Sequence, residues 1–371
     1  MAGPLHGVRI VELPAIGPVP FLGMVLADLG ADVVRVEKLA PDALTVPALG
    51  RGRRSIALDM RRPGAAEVVL RLAERSDALI EGFRPGIAER LGVGPSAVLA
   101  RNRTLVYGRM TGWGQHGPLA ATAGHDITYL AVSGLLHGIG PADGPPTPPV
   151  NYLADFGGGA MSLAVGVLAA LLHARATGEG QVIDAAMTEG AAYLGTMTRG
   201  LFASGAWRDS RAANILDGGA PNYRCYACSD GRYVAVGALE PKFWQVLVDK
   251  LGLDAAPPYD RHNWPALTKL LGDVFATRTR DEWASVFADS DACVAPVLTL
   301  AEAPDHPHNA ARASFVDVAG ATLAAPAPRF SATPSTAGEP PPAGADTAAL
   351  LAELGYDEDA LAELRTAGAI S

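Results

Sequence analysis

Two short segments of this 371-residue chain carry side chains that could exchange a proton with a carbon acid. In AGHDITYL, His125 and Asp126 stand directly before an apolar stripe of Ile127, Leu130, Ala131 and Leu135 at helical spacing. In NYLADFGGGAM, Asp155 stands before three glycines and a long apolar helix. An imidazole and a carboxylate suit general acid and base work near neutral pH. Each also has a structural explanation. Asp126 or His125 could cap the helix that follows, and Asp155 could cap the next one, with glycines for close packing. In the functional reading, Gly157, Gly158 and Gly159 let a substrate approach backbone N–H groups that stabilise an enolate oxygen. A third acid, Glu240 in VGALEPKFW, reads either as a first-turn acid or as a carboxylate that holds an imidazole in one tautomer.

Groups for an anionic ligand lie earlier. Lys38 follows a strand, Arg51, Arg53 and Arg54 fall in a predicted loop, and Arg61, Arg62, Arg84 and Arg90 follow. Arg84, in EGFRPG at the end of a predicted parallel strand, stands where α/β sheets bind ligands. The formal charge is -9, yet residues 1–110 hold fifteen of the thirty Lys and Arg against eleven acids, which is +4 there and -13 beyond. An excess of that size fits a small anion better than a nucleic acid. Cys225 and Cys228 form a single CxxC without a partner pair, on a predicted strand where residues three apart face opposite sides, so neither metal nor redox chemistry is assigned. No GxGxxG follows the first strand, and there is no P-loop or GxSxG, so nucleotide and serine-hydrolase readings lack their signals.

The elements that must position these groups alternate. Residues 8–13 read as a strand, 20–29 as a helix stopped by Gly30, and 32–37 as a strand. A helix near 65–75 and strands at 78–81, 105–110 and 181–187 continue the pattern, which predicts an α/β, doubly wound parallel sheet. The segment YRCYACSDGRYVAVGAL reads as a hairpin, and Trp244, Leu247, Val248 and Leu251 as one helix face, giving a smaller α+β domain. The expected division is 1–187 with 330–371 as the large domain, 188–222 as a linker and 223–329 as the small domain. The apolar run 156–172 is short for a bilayer span and contains four glycines, so it reads as a buried helix and no membrane is expected. The N-terminal residues lack the pattern of a secretory signal, and the expected location is the cytoplasm.

Together the segments MAGPLHGVRIVEL, DLGADVVRVE, IEGFRPGIAERLG, RMTGWGQHGP, AGHDITYL, ADFGGGAM, GQVIDAAM and DGRYVAVGALEPKFW resemble the family III CoA-transferases, and within them the racemase branch. The resemblance implies a Rossmann-like large domain, a smaller α+β domain and an interlocked homodimer. It implies an acyl-CoA substrate and no cofactor or metal, the CoA being part of the substrate. In that branch His125 exchanges the α-proton of one 2-methylacyl-CoA epimer and Asp155 that of the other, through a planar enolate. Glu240 would pair with His125, Asn151 would join the polar network, and Asp126 would be an auxiliary acid. The resemblance carries CoA contacts to Lys38, to Leu58, Asp59, Met60 and Arg61, to Gly82, Phe83 and Arg84, to Arg90, and to the segment Gly124, His125, Asp126, Ile127, Thr128 and Tyr129. Lys38 and Arg61 exchange the basic types expected there, which removes bidentate geometry at 38. The alternative is a transferase of the same family, with Asp155 as nucleophile forming an anhydride and then a thioester.

Overall fold

A computed structural model describes residues 3–40 and 46–371. The chain divides into two compact units, Met1–Ser133 with Val150–Leu194 and Pro307–Ser371, and Gly134–Pro149 with Gly195–His306.

The first unit is built on a six-stranded parallel sheet. Its elements begin with β1 (Arg9–Glu12), α1 (Pro18–Asp28), β2 (Asp32–Glu37), β3 (Arg54–Ala57), α2 (Ala65–Glu74) and β4 (Ala78–Glu81). They continue with α3 (Ile87–Arg90), α4 (Pro95–Arg101), β5 (Val106–Thr111), α5 (Asp126–Ser133), α6 (Met161–Thr177), β6 (Val182–Ala186) and α7 (Met187–Leu194). The strand order is β3-β2-β1-β4-β5-β6, with Ile10 paired to Val33 on one side and Ala78 on the other. Strands β4 and β5 are buried at every position, as parallel strands covered on both faces must be. The order reverses between β1 and β4, and such a switch point opens a crevice at the carboxyl ends of the strands. There the loops after β1 and β4 meet: a Cβ on Gly82 would lie 2.9 Å from Val19 and 3.2 Å from Ala15.

Of the three arginines expected in a loop, Arg51 and Arg53 lie in one, and Arg54 instead opens strand β3. Its sequence RSIA is short, and the neighbouring Arg51 and Arg53 are drawn inward by acids. Arg51 pairs with Asp28, and Arg53 pairs with Glu12 while donating to the Pro20 carbonyl at 2.9 Å, so neither is offered to a phosphate. The outer edge of β3 is sealed by the Pro-rich stretch 334–346 and the helix after it. Ser55 N–H donates to Asp346 Oδ2 at 2.8 Å, Asp346 N–H to the Ser55 carbonyl at 2.9 Å, and Ala57 N–H to Thr347 Oγ1 at 3.1 Å. A covered edge cannot template pairing with another chain.

The C-terminal segment forms two helices, α12 (Thr347–Glu353) and α13 (Glu358–Thr366), parted at Gly355, whose φ of 82° suits glycine. Leu350, Leu351, Leu361, Leu364, Ala369 and Ile370 enter the same core as Val11, Val34 and Leu79. The hairpin of β10 (Phe315–Val318) and β11 (Ala321–Ala324) also belongs to this unit, so its C-terminal part begins at 307 rather than 330.

The second unit has an antiparallel sheet of β7 (Tyr223–Ala227), β8 (Tyr233–Gly237) and β9 (Val294–Pro296). Helices α9 (Pro241–Leu251), α10 (Trp264–Phe275) and α11 (Arg280–Phe287) pack through Trp244, Leu247, Phe275 and Trp283. The expected helix face at Trp244, Leu247 and Val248 is buried. Cys225 is exposed and Cys228 buried. The expected linker 188–222 holds helix α7, helix α8 (Thr196–Ala203) and a polar knot around the fully buried Asn214, which donates to the Arg208 and Ser210 carbonyls and to Asp217. Residues 134–149, expected in the large domain, fold with this unit because Arg211 donates to the carbonyls of His137, Pro141 and Gly144.

Candidate active site

The segment before α5 is shaped by two glycines. A Cβ on Gly112 would lie 2.2 Å from the Tyr129 ring and one on Gly124 2.5 Å, so only glycine admits the ring, which also meets Trp113 edge-on at 4.9 Å. The Tyr129 hydroxyl is pushed up to about 12, by burial first and then by the negative charge of Asp155. Thr128 Oγ1 accepts the His125 N–H at 3.0 Å, and the His125 carbonyl accepts from the Thr128 and Tyr129 N–H groups. His125 therefore stands at the mouth of α5, exposed, with its backbone occupied in the helix start and its ring left for other work.

Asp126 does not cap its own helix. Its side chain is 5 % exposed, and its Oδ2 accepts the N–H groups of Ala154 and Asp155 at 2.8 Å each. It is the bracket between the two predicted segments. The second segment does not start at Asp155 either. Helix α6 is preceded by a π-helical stretch, Tyr152–Ala160, so Asp155 lies within the first turn of the helical rod. π-turns widen a helix and occur often at functional sites.

The glycines after Asp155 serve packing. A Cβ on Gly190 of α7 would lie 1.8 Å from the Gly158 carbonyl oxygen, and one on Gly159 2.9 Å from Met187. Two helices cross with backbones in contact, and the backbone N–H groups of residues 154 and 155 are taken by Asp126.

The Asp155 carboxyl is half-buried. Asn151 Nδ2 donates to its Oδ2 at 3.3 Å, and Gly17, at φ 67°, passes so close that a Cβ there would lie 3.7 Å from the same oxygen. Burial pushes its pKa up, the Asn151 hydrogen bond draws it down, Asp126 raises it and His125 lowers it. His125, Asp126, Asn151 and Asp155 thus form one electrostatic cluster within the first unit. Glu240 is the N-cap residue of α9 in the second unit, exposed, its carbonyl accepting from Phe243 and Trp244.

The positions expected to hold CoA follow the carboxyl ends of successive strands: Lys38 after β2, Leu58 to Arg61 after β3, and Gly82 to Arg84 after β4. Asp59 N–H donates to the Ala369 carbonyl at 2.9 Å, and its carboxylate takes Arg61, which stays mostly exposed. Met60 packs against the core, Phe83 is half-buried, and Lys38, Arg84 and Arg90 are exposed. Ile127 and Thr128 are exposed on the first turn of α5.

A sequence model described as CoA-transferase family III matches residues 5–347. The chain belongs to this family. Among curated relatives, the α-methylacyl-CoA racemase of Mus musculus is 44 % identical over 98 % of this chain and 96 % of its own length, and that of Homo sapiens is 43 % identical over the same shares. Among solved structures, a CaiB/BaiF family protein from Brucella suis superposes with a TM-score of 0.83 at 28 % identity, covering 95 % of this chain and all of the other. The fold is accordingly that of CaiB/BaiF family III CoA-transferases, as the resemblance implied.

Within this family III member the sequence reading passed over Gly17, Gly112 and the pair Glu81 and Arg109. Gly17 carried a signal in IGPVP, a glycine before a Pro-rich helix start. Glu81 and Arg109 fall on predicted strands and Gly112 in a predicted loop, and only the tertiary fold reveals their neighbours.

Proposed function

We propose that this chain is an α-methylacyl-CoA racemase that interconverts (2R)- and (2S)-2-methylacyl-CoA thioesters. The observation that carries the reading is the cluster in which Asp126, next to His125 in the chain, binds the backbone of Asp155, in a chain 44 % identical to a racemase over nearly its whole length. Inverting a carbon requires one group to take a proton from one face of a planar enolate and a second group to deliver one to the other. The two must begin in opposite protonation states. Burial favours the protonated form of Asp155, so it is able to deliver a proton as well as to take one. His125 is assigned the opposite face. Asp126 is assigned the positioning of Asp155, whose N–H it binds, and Asn151 the holding of its carboxylate. Glu240 keeps its assignment as an orienting carboxylate on the resemblance alone. The chemistry so proposed uses protein acids and bases, and CoA enters as part of the substrate, held after β2, β3 and β4.

The homodimer is proposed on a further observation. Val165 and Leu172 on α6, Val182 on β6 and Tyr193 on α7 are exposed by 67, 70, 43 and 78 %, an apolar surface of the kind that a protein partner covers. Light scattering on the purified protein should give twice the chain mass.

The deciding experiment incubates single epimers of 2-methylacyl-CoA esters in heavy water. Epimerisation with deuterium uptake at C2 is expected. CoA passage to a free acid, with an Asp155 adduct trapped by hydroxylamine and no exchange at C2, would replace the racemase by the transferase.

A further inference from the structure

One buried guanidinium lies beneath the loop that carries Arg84 and Arg90. Arg109, on β5, donates from Nε to Glu81 Oε1 at 2.9 Å, and from its two terminal nitrogens to the Glu89 carboxylate at 2.8 and 3.3 Å. Glu81 is the last residue of β4 and fully buried, and its other oxygen accepts the Phe83 N–H at 2.5 Å. Glu89 sits on α3, beside Arg90. The three side chains therefore hold both ends of the segment 82–90. Between those ends the chain closes on itself, with Ile87 N–H on the Arg84 carbonyl at 3.1 Å and Gly86 at φ 81°.

A buried ion pair is a poor source of stability compared with apolar side chains of the same size. What a carboxylate and a guanidinium supply here, and apolar groups would not, is direction. The strand end is bonded to the backbone N–H of Phe83, and the helical turn bearing Arg90 is bonded to the same cation. The geometry points to Glu81, Arg109 and Glu89 as positioning residues that preset Arg84 and Arg90 for the phosphates of the CoA moiety. This rests on the reading that the substrate is a CoA thioester bound at the carboxyl ends of the strands. A preset loop forfeits less conformational freedom when the nucleotide binds, so its loss is felt in affinity rather than in the chemical step.

The test compares a 2-methylacyl-CoA ester with the same acyl group on N-acetylcysteamine, which lacks the nucleotide, and measures the Kd of free CoA. Arg109→Lys keeps the charge but loses the fork. It should raise the CoA Kd and the KM for the CoA ester about tenfold, with kcat within about twofold and kcat/KM on the N-acetylcysteamine ester unchanged. Glu89→Gln, at a side chain 47 % exposed where folding is not at stake, should raise both by about threefold, and it decides the matter if Arg109→Lys does not fold. Normal CoA binding in these variants, or a loss of kcat equal on both esters, overturns the inference. Arg84→Gln and Arg90→Gln separate it from the underlying reading. If they bind CoA normally, the loop is not the CoA site and both fall. If they bind it weakly while Arg109→Lys and Glu89→Gln bind it normally, only the positioning falls.

Discussion

Glu81 and Asp155 are both carboxylates pushed above their ordinary range by burial, yet their surroundings differ in kind. Glu81 is fully buried between a guanidinium and a backbone N–H, each of which favours its ionised form. Asp155 is half-buried, the neutral amide of Asn151 donates to it, and its neighbour Asp126 is another acid. One carboxylate is fixed in place by a cation and a backbone donor at its two oxygens, while the other has a neutral donor and a second acid beside it. The contrast teaches that burial alone does not mark a reactive acid. What marks it is burial without a dedicated cation.

The largest effect that could break this contrast is at Asp155. Asp155→Asn should lower epimerisation by about a thousandfold or more, within the range for a lost general acid-base group. Deuterium should still enter one epimer without inversion, through His125. Uptake into both epimers at the parent rate would show that Asp155 moves no proton. At the other carboxylate the expected loss is of folding. Glu81→Ala leaves Arg109 buried beside a partner that is half-exposed, and denaturant unfolding should register about 3–5 kcal/mol. A stable Glu81→Ala protein would remove the distinction between the clamped and the free acid.

Asp126→Ala, which strips the acceptor from two backbone N–H groups, should cost about 1–3 kcal/mol in unfolding experiments and lower kcat as Asp155 loses its anchor. A subtler signature comes from linkage. Asp155 has a higher pKa folded than unfolded, so ionising it opposes folding. That opposition is absent below the unfolded value and grows as pH rises through the folded one. Asp155→Asn should therefore melt above the parent at neutral pH, with the gap closing in acid. The smallest effect belongs to Asn151→Ala. Removing the hydrogen bond that draws Asp155 down should move the acid limb of the pH-rate profile to higher pH, read from kcat/KM for each epimer separately. An unmoved limb would assign it to another group.

Much of this was legible in the sequence for physical reasons. Strands β2 and β4 were bounded correctly because the valines of one and the Ala-Leu-Ile run of the other lie between glycine or polar stops, and Asp126 marks the first residue of α5 because an apolar stripe begins there. The clustering of His125 with Asp155 followed from family resemblance and not from spacing. Three features were beyond reach. β3 is basic because its flanking arginines answer acids on α1 and β1, a pairing that exists only once the sheet forms. The π-helical register at Tyr152–Ala160 depends on Asp126 reaching across from another helix. The glycines after Asp155 look the same whether they face a ligand or another backbone, and it is the position of Gly190 that decides.

The last helices also bear on how the chain is made. Ala369 and Ile370 share a core with Val11 and Val34, and Asp346 seals β3, so the first unit lacks part of its interior until the ribosome has translated past residue 370. The stretch Gly195–His306 carries all the residues of its own core and needs none from later in the chain. During synthesis, then, the early strands must wait as an unfinished sheet while the inserted unit folds ahead of them. Proteolysis of ribosome-stalled chains should find the segment around Trp244 and Phe275 protected before the segment around Val11 and Leu79. A chain stalled short of Leu350 should remain cleavable at β3.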